Sequence, residues 1–90
     1  MVGLTKTAAL EYAKQGIRVN AVCPGVVQTP MIDRFVQGDA QKLSQLSMGA
    51  PVGRVGKPEE IASAVIWLCS SGSAFTTGHP LVVDGGWTAQ

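Results

Sequence analysis

"RVNAVCPGVVQTPM", residues 18 to 31, runs apolar into a Pro-Gly pair and leaves it through a threonine, a second proline and a methionine. With Gly16 upstream, Ile17 to Cys23 forms a β-branched run bounded by turn residues, which predicts a strand. Ile17, Val19, Ala21 and Cys23 fall on one face, and Val22 is apolar on the other, beside Arg18 and Asn20. Apolar residues on both faces indicate a parallel sheet covered by helices. Asn20 is then a polar group that must find hydrogen-bond partners.

Upstream, Leu4, Ala8 and Tyr12 recur at helical spacing, Lys14 lies in the last turn and Gly16 fits the stop. Met1-Val2-Gly3 offers no capping side chain, so this helix reads as beginning in its middle. Downstream, residues 26 to 57 form a long connection punctuated by Pro30, Gly38, Gly49, Pro51, Gly53 and Gly56, with short helices expected over Met31 to Gln37 and Ala40 to Met48. Connections of this length are usually lids or binding segments. The clearest helix is Pro58 to Ser71, with Pro58 at its first position, Glu59 and Glu60 at the positive end of its dipole and Gly72 at its stop. Its apolar residues surround most of the axis, which predicts burial on more than one side. Pro80 to Asp84 reads as a last short strand closed by Gly85-Gly86, with Asp84 capping the turn.

The order helix, strand, long loop with short helices, helix, strand is half of an α/β unit. Two strands are too few for a free-standing parallel sheet. The expectation is a C-terminal portion of a larger domain, or a chain that completes its sheet by assembly. The composition agrees, being 46% hydrophobic and only 14% charged, against roughly 25% charged in ordinary globular domains.

Seven basic and six acidic residues are scattered and leave a net charge of +1. There is no basic stripe or aromatic platform for nucleic acid, no apolar run of membrane-spanning length and no signal-peptide core in residues 1–16. One histidine and two cysteines make a zinc site untenable. Cys23 and Cys69 lie in apolar runs and read as buried reduced thiols in a cytoplasmic protein. The segment Gly49 to Pro58 fails as a phosphate loop, because position 51 is proline and Pro58 stands where a hydroxyl should hold magnesium. It reads as a hinge, although Arg54 and Lys57 near a helix start are placed to attract an anion. No catalytic constellation is present. His79 stands alone, and Cys23 lacks a base. Ligands of open parallel sheets sit outside the carboxyl ends of strands. There, Gly25 permits close approach, the Val27 peptide offers a donor and an acceptor to a planar amide, and Thr29 adds a hydroxyl. Pro-Gly is also ordinary turn chemistry, and the residues alone leave both readings open.

Three blocks, "GLTKTAALEYAKQGIRVNAVCPGVVQTPM", "GRVGKPEEIASAVIWLCS" and "TGHPLVVDGGW", closely resemble in order and spacing the C-terminal part of the short-chain dehydrogenase/reductase family. The resemblance implies a Rossmann-type doubly wound parallel sheet, of which residues 1–90 supply the last helices and strands. It implies a site for NAD or NADP, with Pro24, Gly25, Val27 and Thr29 lining the nicotinamide. It also implies a substrate loop over about residues 30–57, with Met31, Ile32 and Phe35 as walls. The reaction implied is interconversion of a small-molecule alcohol and a carbonyl by hydride transfer. Asn20 matches a structural asparagine, and the first helix, the Pro58 helix and the last strand match surfaces that commonly form homotetramers. The family's catalytic serine, Tyr-x-x-x-Lys pair and glycine-rich phosphate turn are missing. Tyr12 is followed four residues later by Gly16, not lysine. Within these 90 residues no catalytic residue is assigned, and the chain alone is expected to be inactive. The alternative is a non-enzymatic assembly module that pairs with full-length relatives.

Overall fold

A computed structural model describes residues 2–90 of the chain. Helix α1 spans Val2–Tyr12 and runs through a tight turn, Ala13–Gln15, to Gly16, whose φ of 77° is the left-handed stop that glycine supplies without strain. Strand β1 is Ala21–Pro24, α2 is Pro30–Val36, α3 is Ala40–Met48, α4 is Pro58–Leu68 and β2 is Pro80–Val83. The missing cap ahead of α1 falls partly on Met1, outside the described residues.

The two strands pair in parallel, with Ala21 opposite Pro80 and Pro24 opposite Val83. Pro80 opens its strand, where a missing N–H costs no ladder bond. The ladder is shorter than the Ile17–Cys23 strand read from the sequence. Residues 17–20 instead serve as an anchor for the loop before β2. Gly78 N–H donates to Val19 O at 2.7 Å, and the Arg18 guanidinium donates to Ser73 Oγ, Thr76 O and Ser70 O. Asn20 is satisfied on both sides, donating to Thr76 O and accepting from His79 N–H, each at 3.0 Å. Side-chain bonds to backbone have replaced strand pairing there.

Helix α4 stops at Leu68, three residues before the expected end. The hydroxyls of Ser70 and Ser73 turn back onto the carbonyls of Trp67 and Leu68 and close the helix with polar side chains. Its start follows the sequence: Pro58 sits in the first turn, and the Glu60 carboxylate accepts the Lys57 N–H at 2.9 Å.

Among the described residues the buried apolar ones are few: Ala9, Ala21, Val36 and Leu68. In α1 the inward face carries Thr5 and Ala9, while Leu4 of the expected apolar face is 74% exposed. The all-round apolar character of α4 is not met by burial within the chain, since Ile66 is 69% exposed and Val65 and Trp67 are also open. Neither cysteine is buried as expected: Cys23 is half-buried, and Cys69 is exposed at the end of α4. The accessible surface is 6338 Å² for 9.4 kDa, against roughly 5,000 Å² for a compact monomer of that mass. The radius of gyration is 15.8 Å, against about 12 Å for a compact chain of this length. No helix among the described residues is long and apolar enough to cross a membrane.

Candidate functional site at the carboxyl end of the sheet

Both strands end side by side. β1 leaves through Gly25, whose N–H donates to Val83 O at 3.1 Å, and β2 leaves through Asp84. A β-carbon at Gly25 would lie 2.9 Å from Asp84 Cα and Cβ. The glycine that the sequence reading reserved for ligand approach is thus already required by packing of one strand end against the other. Asp84 holds the following turn with its carboxylate, accepting Gly86 N–H and Thr88 N–H at 3.0 Å each. Desolvation pushes the Asp84 carboxyl up, but hydrogen bonds from Thr88, Gly86 and Trp87 outweigh it and hold the group below the ordinary carboxylate range.

Val27 forms an isolated parallel bridge with Gly56. Its two bonds run from Gly56 N–H to Val26 O and from Gln28 N–H to Gly56 O, both at 2.8 Å. They use the peptide groups flanking Val27. In a parallel bridge the central residue's own N–H and C=O face the other side, so one donor and one acceptor are directed outward beyond the strand end. Thr29 caps α2: its Oγ1 accepts Ile32 N–H at 3.3 Å, leaving the hydroxyl hydrogen to donate elsewhere. Pro24 ends β1 and Gly25 follows it, Val27 holds the bridge to Gly56, and Thr29 caps α2. Pro24 is exposed and the other three are half-buried.

The bridge closes the neck of the excursion that sequence reading placed at residues 26 to 57. Of the three wall candidates on α2, Met31 and Phe35 are exposed and Ile32 is half-buried. The Lys42 ammonium lies 5.6 Å from the Phe35 ring centroid, a cation–π contact joining α3 to α2. Arg54 is not free for an anion: it forms a forked pair with Glu60, at 2.7 and 2.8 Å. That pair, together with the Lys57 N–H, holds the Glu60 carboxyl at about 2. Trp87 was missed in the sequence. It lines the hollow beside Cys23, Pro24 and Gly25, and the Asp-Gly-Gly turn before it was the available signal.

Residues 1–88 match the protein family described as enoyl-(acyl carrier protein) reductase. The chain is a member of the short-chain dehydrogenase/reductase family. A curated relative in this family, the 2,5-dichloro-2,5-cyclohexadiene-1,4-diol dehydrogenase of Sphingobium indicum, is 48% identical over 89 residues, 99% of this chain and 36% of its own length. Among solved structures, ElxO with NADP bound superposes with a TM-score of 0.91 at 34% identity, over 99% of this chain and 36% of that one. 4-Hydroxyisoleucine dehydrogenase complexed with NADH superposes with a TM-score of 0.89 at 38% identity, over the same 99% and 36%. The fold is accordingly the α/β Rossmann type, of which these strands and helices are a portion. The chain spans about a third of the length of the curated relatives it matches.

Proposed function

We propose that this chain supplies the nicotinamide-side wall and substrate loop of an NAD(P)-dependent oxidoreductase that interconverts an alcohol and a carbonyl. The Val27 peptide carries the proposal. Its outward N–H and C=O match the acceptor and donor of a carboxamide, and they stand at the carboxyl end of a parallel strand, where this fold class binds ligands. Thr29 adds its free O–H to the carboxamide or to a nearby phosphate. Pro24 and Gly25 form the flat floor before them. When bound, the nicotinamide supplies the hydride donor or acceptor. This chain's residues orient that ring, and Met31, Ile32 and Phe35 form an apolar wall that keeps water from the substrate. NADP in one structural relative and NADH in another support either cofactor.

Such a reaction also needs a proton donor. In this family that is the tyrosine of a Tyr-x-x-x-Lys pair, which these 90 residues do not contain. We therefore assign catalysis to the chain joined to the Rossmann half that carries the pair, in the cytoplasm and in a homotetramer. The alternative, a module that binds intact relatives without catalysis, is favoured by the open face of α4 at Val65, Ile66 and Trp67.

A chimera separates the readings. Residues 2–90 replace the matching third of the Sphingobium enzyme. The chimera is then assayed with NAD(H) and NADP(H) on cyclic alcohols and ketones, beside the isolated chain. The expected result is saturable turnover in the chimera and none in the isolated chain. A folded chimera without turnover would favour the module.

A further inference from the structure

Gly56 orients Val27 through two peptide groups, and each of them is held at its other end by one side-chain pair. In the first peptide, Gly56 N–H donates to Val26 O at 2.8 Å, while Val55 O accepts from Arg54 Nη1 at 3.2 Å. In the second, Gly56 O accepts Gln28 N–H at 2.8 Å, while Lys57 N–H donates to Glu60 Oε1 at 2.9 Å. The pair is closed by the Arg54 guanidinium, which donates to both Glu60 oxygens at 2.7 and 2.8 Å. A peptide group is planar, so fixing its outer end fixes the direction of its inner end. Upstream the returning chain is held separately: Gly49 lies against the Trp87 ring, which an added β-carbon would overlap, and Val52 N–H donates to Gly85 O at 3.2 Å. The Arg54 and Glu60 side chains are 54% and 41% exposed. An ion pair this open contributes little to stability, but a forked one fixes direction.

We propose that Glu60, with Arg54, is a positioning residue for the nicotinamide carboxamide: the pair sets the two Gly56 peptides, and these set the outward N–H and C=O of Val27. This role rests on Val27 being the carboxamide site, as proposed above. Glu60 acts through Gly56 and not by contact with the cofactor. Without the carboxylate, Lys57 N–H and the Arg54 guanidinium lose their common acceptor, and both Gly56 peptides are free to tilt. The Val27 peptide tilts with them, and hydrogen bonds weaken steeply with misalignment. The loss falls on the nicotinamide end of the cofactor alone, because the ring of contacts from Arg54 to Glu60 meets the cofactor site only through Val26 to Gln28.

The test uses the chimera described above, as parent and as Glu60→Ala, Arg54→Ala and Glu60→Gln. Dissociation constants are measured for the reduced cofactor and for the matching adenosine diphosphate ribose, which lacks the nicotinamide. The parent should bind the reduced cofactor more tightly. Glu60→Ala and Arg54→Ala should each weaken the reduced cofactor about tenfold, the order expected for spoiling one or two neutral hydrogen bonds, and should leave adenosine diphosphate ribose within about twofold. Glu60→Gln keeps an acceptor for Lys57 N–H and should recover most of the affinity. A preference for the reduced cofactor that survives both alanine variants would overturn the positioning role and leave the Val27 reading standing. Equal weakening of both ligands would also overturn it, since the pair would then be a general stabiliser. A folded parent that shows no preference would remove Val27 from the carboxamide site, and the role of Glu60 with it.

Discussion

Gly25, Asn20 and Thr29 each do something their residue type alone does not announce. Gly25 is pressed onto Asp84 backbone atoms, and Gly25→Ala must move one strand end. We expect it to destabilise the chimera by about 1–3 kcal/mol in chemical denaturation, the cost of forcing a methyl group into a filled space. Gly3, in the exposed first turn of α1, has nothing within 4 Å of an added β-carbon. Gly3→Ala should be neutral or stabilise by up to about 1 kcal/mol. Thr29 combines a helix cap with the proposed cofactor contact, and two variants divide these. Thr29→Ser keeps acceptor and donor, whereas Thr29→Asp keeps the cap and loses the O–H. In the chimera, Thr29→Asp should raise the KM for the nicotinamide cofactor about tenfold, and Thr29→Ser should leave it near the parent value. Equal KM values would remove Thr29 from the cofactor site. At this scale the sequence was legible where a residue acts locally, as in Asp84's cap of its own turn. It was not legible where the partner is distant: nothing near Gly49 in the chain announces Trp87.

Helix α4 shows what an element's ends add. Its start was readable because a proline and two glutamates occupy its first three positions. Its end was not, because the Ser70 and Ser73 hydroxyls compete with a continuing helix for the same carbonyls. The Arg54–Glu60 pair gives the start a pH signature. The folded carboxyl lies at about 2, below its ordinary value of 4.5. Its stabilisation is therefore fully present above pH 4.5 and is lost as pH falls toward 2. The Lys57 and Glu60 amides, bonded to Glu60 Oε1 and Lys57 O, should lose protection progressively across that window. Glu60→Gln should show a flatter profile and lower protection at neutral pH, and identical profiles would show that the pair contributes nothing there. Strand β1 gives the complementary lesson. The β-branched run predicted a strand of the right kind, but Arg18 and Asn20 give the first half of it to loop anchoring, which alternation of apolar and polar residues does not encode.

The whole molecule exposes roughly 1,300 Å² more than a compact monomer of its mass. Half of an α/β unit has this signature: Leu4, Leu10, Val65, Ile66 and Phe75 all face outward. The sequence anticipated it through low charge and an all-round apolar helix. It did not indicate which faces the chain itself would cover, because burial depends on elements that the order of helices and strands does not place. The central claim is that this surface joins the other half of a Rossmann domain and brings the Pro24–Thr29 edge to a nicotinamide. NAD(P)-dependent turnover by the chimera, measured beside the isolated chain, tests it most directly. The account predicts saturable, cofactor-dependent interconversion of alcohol and ketone in the chimera and none in the 90 residues alone. A folded chimera that neither binds nor uses NAD(H) or NADP(H), or turnover by the isolated chain, would contradict it.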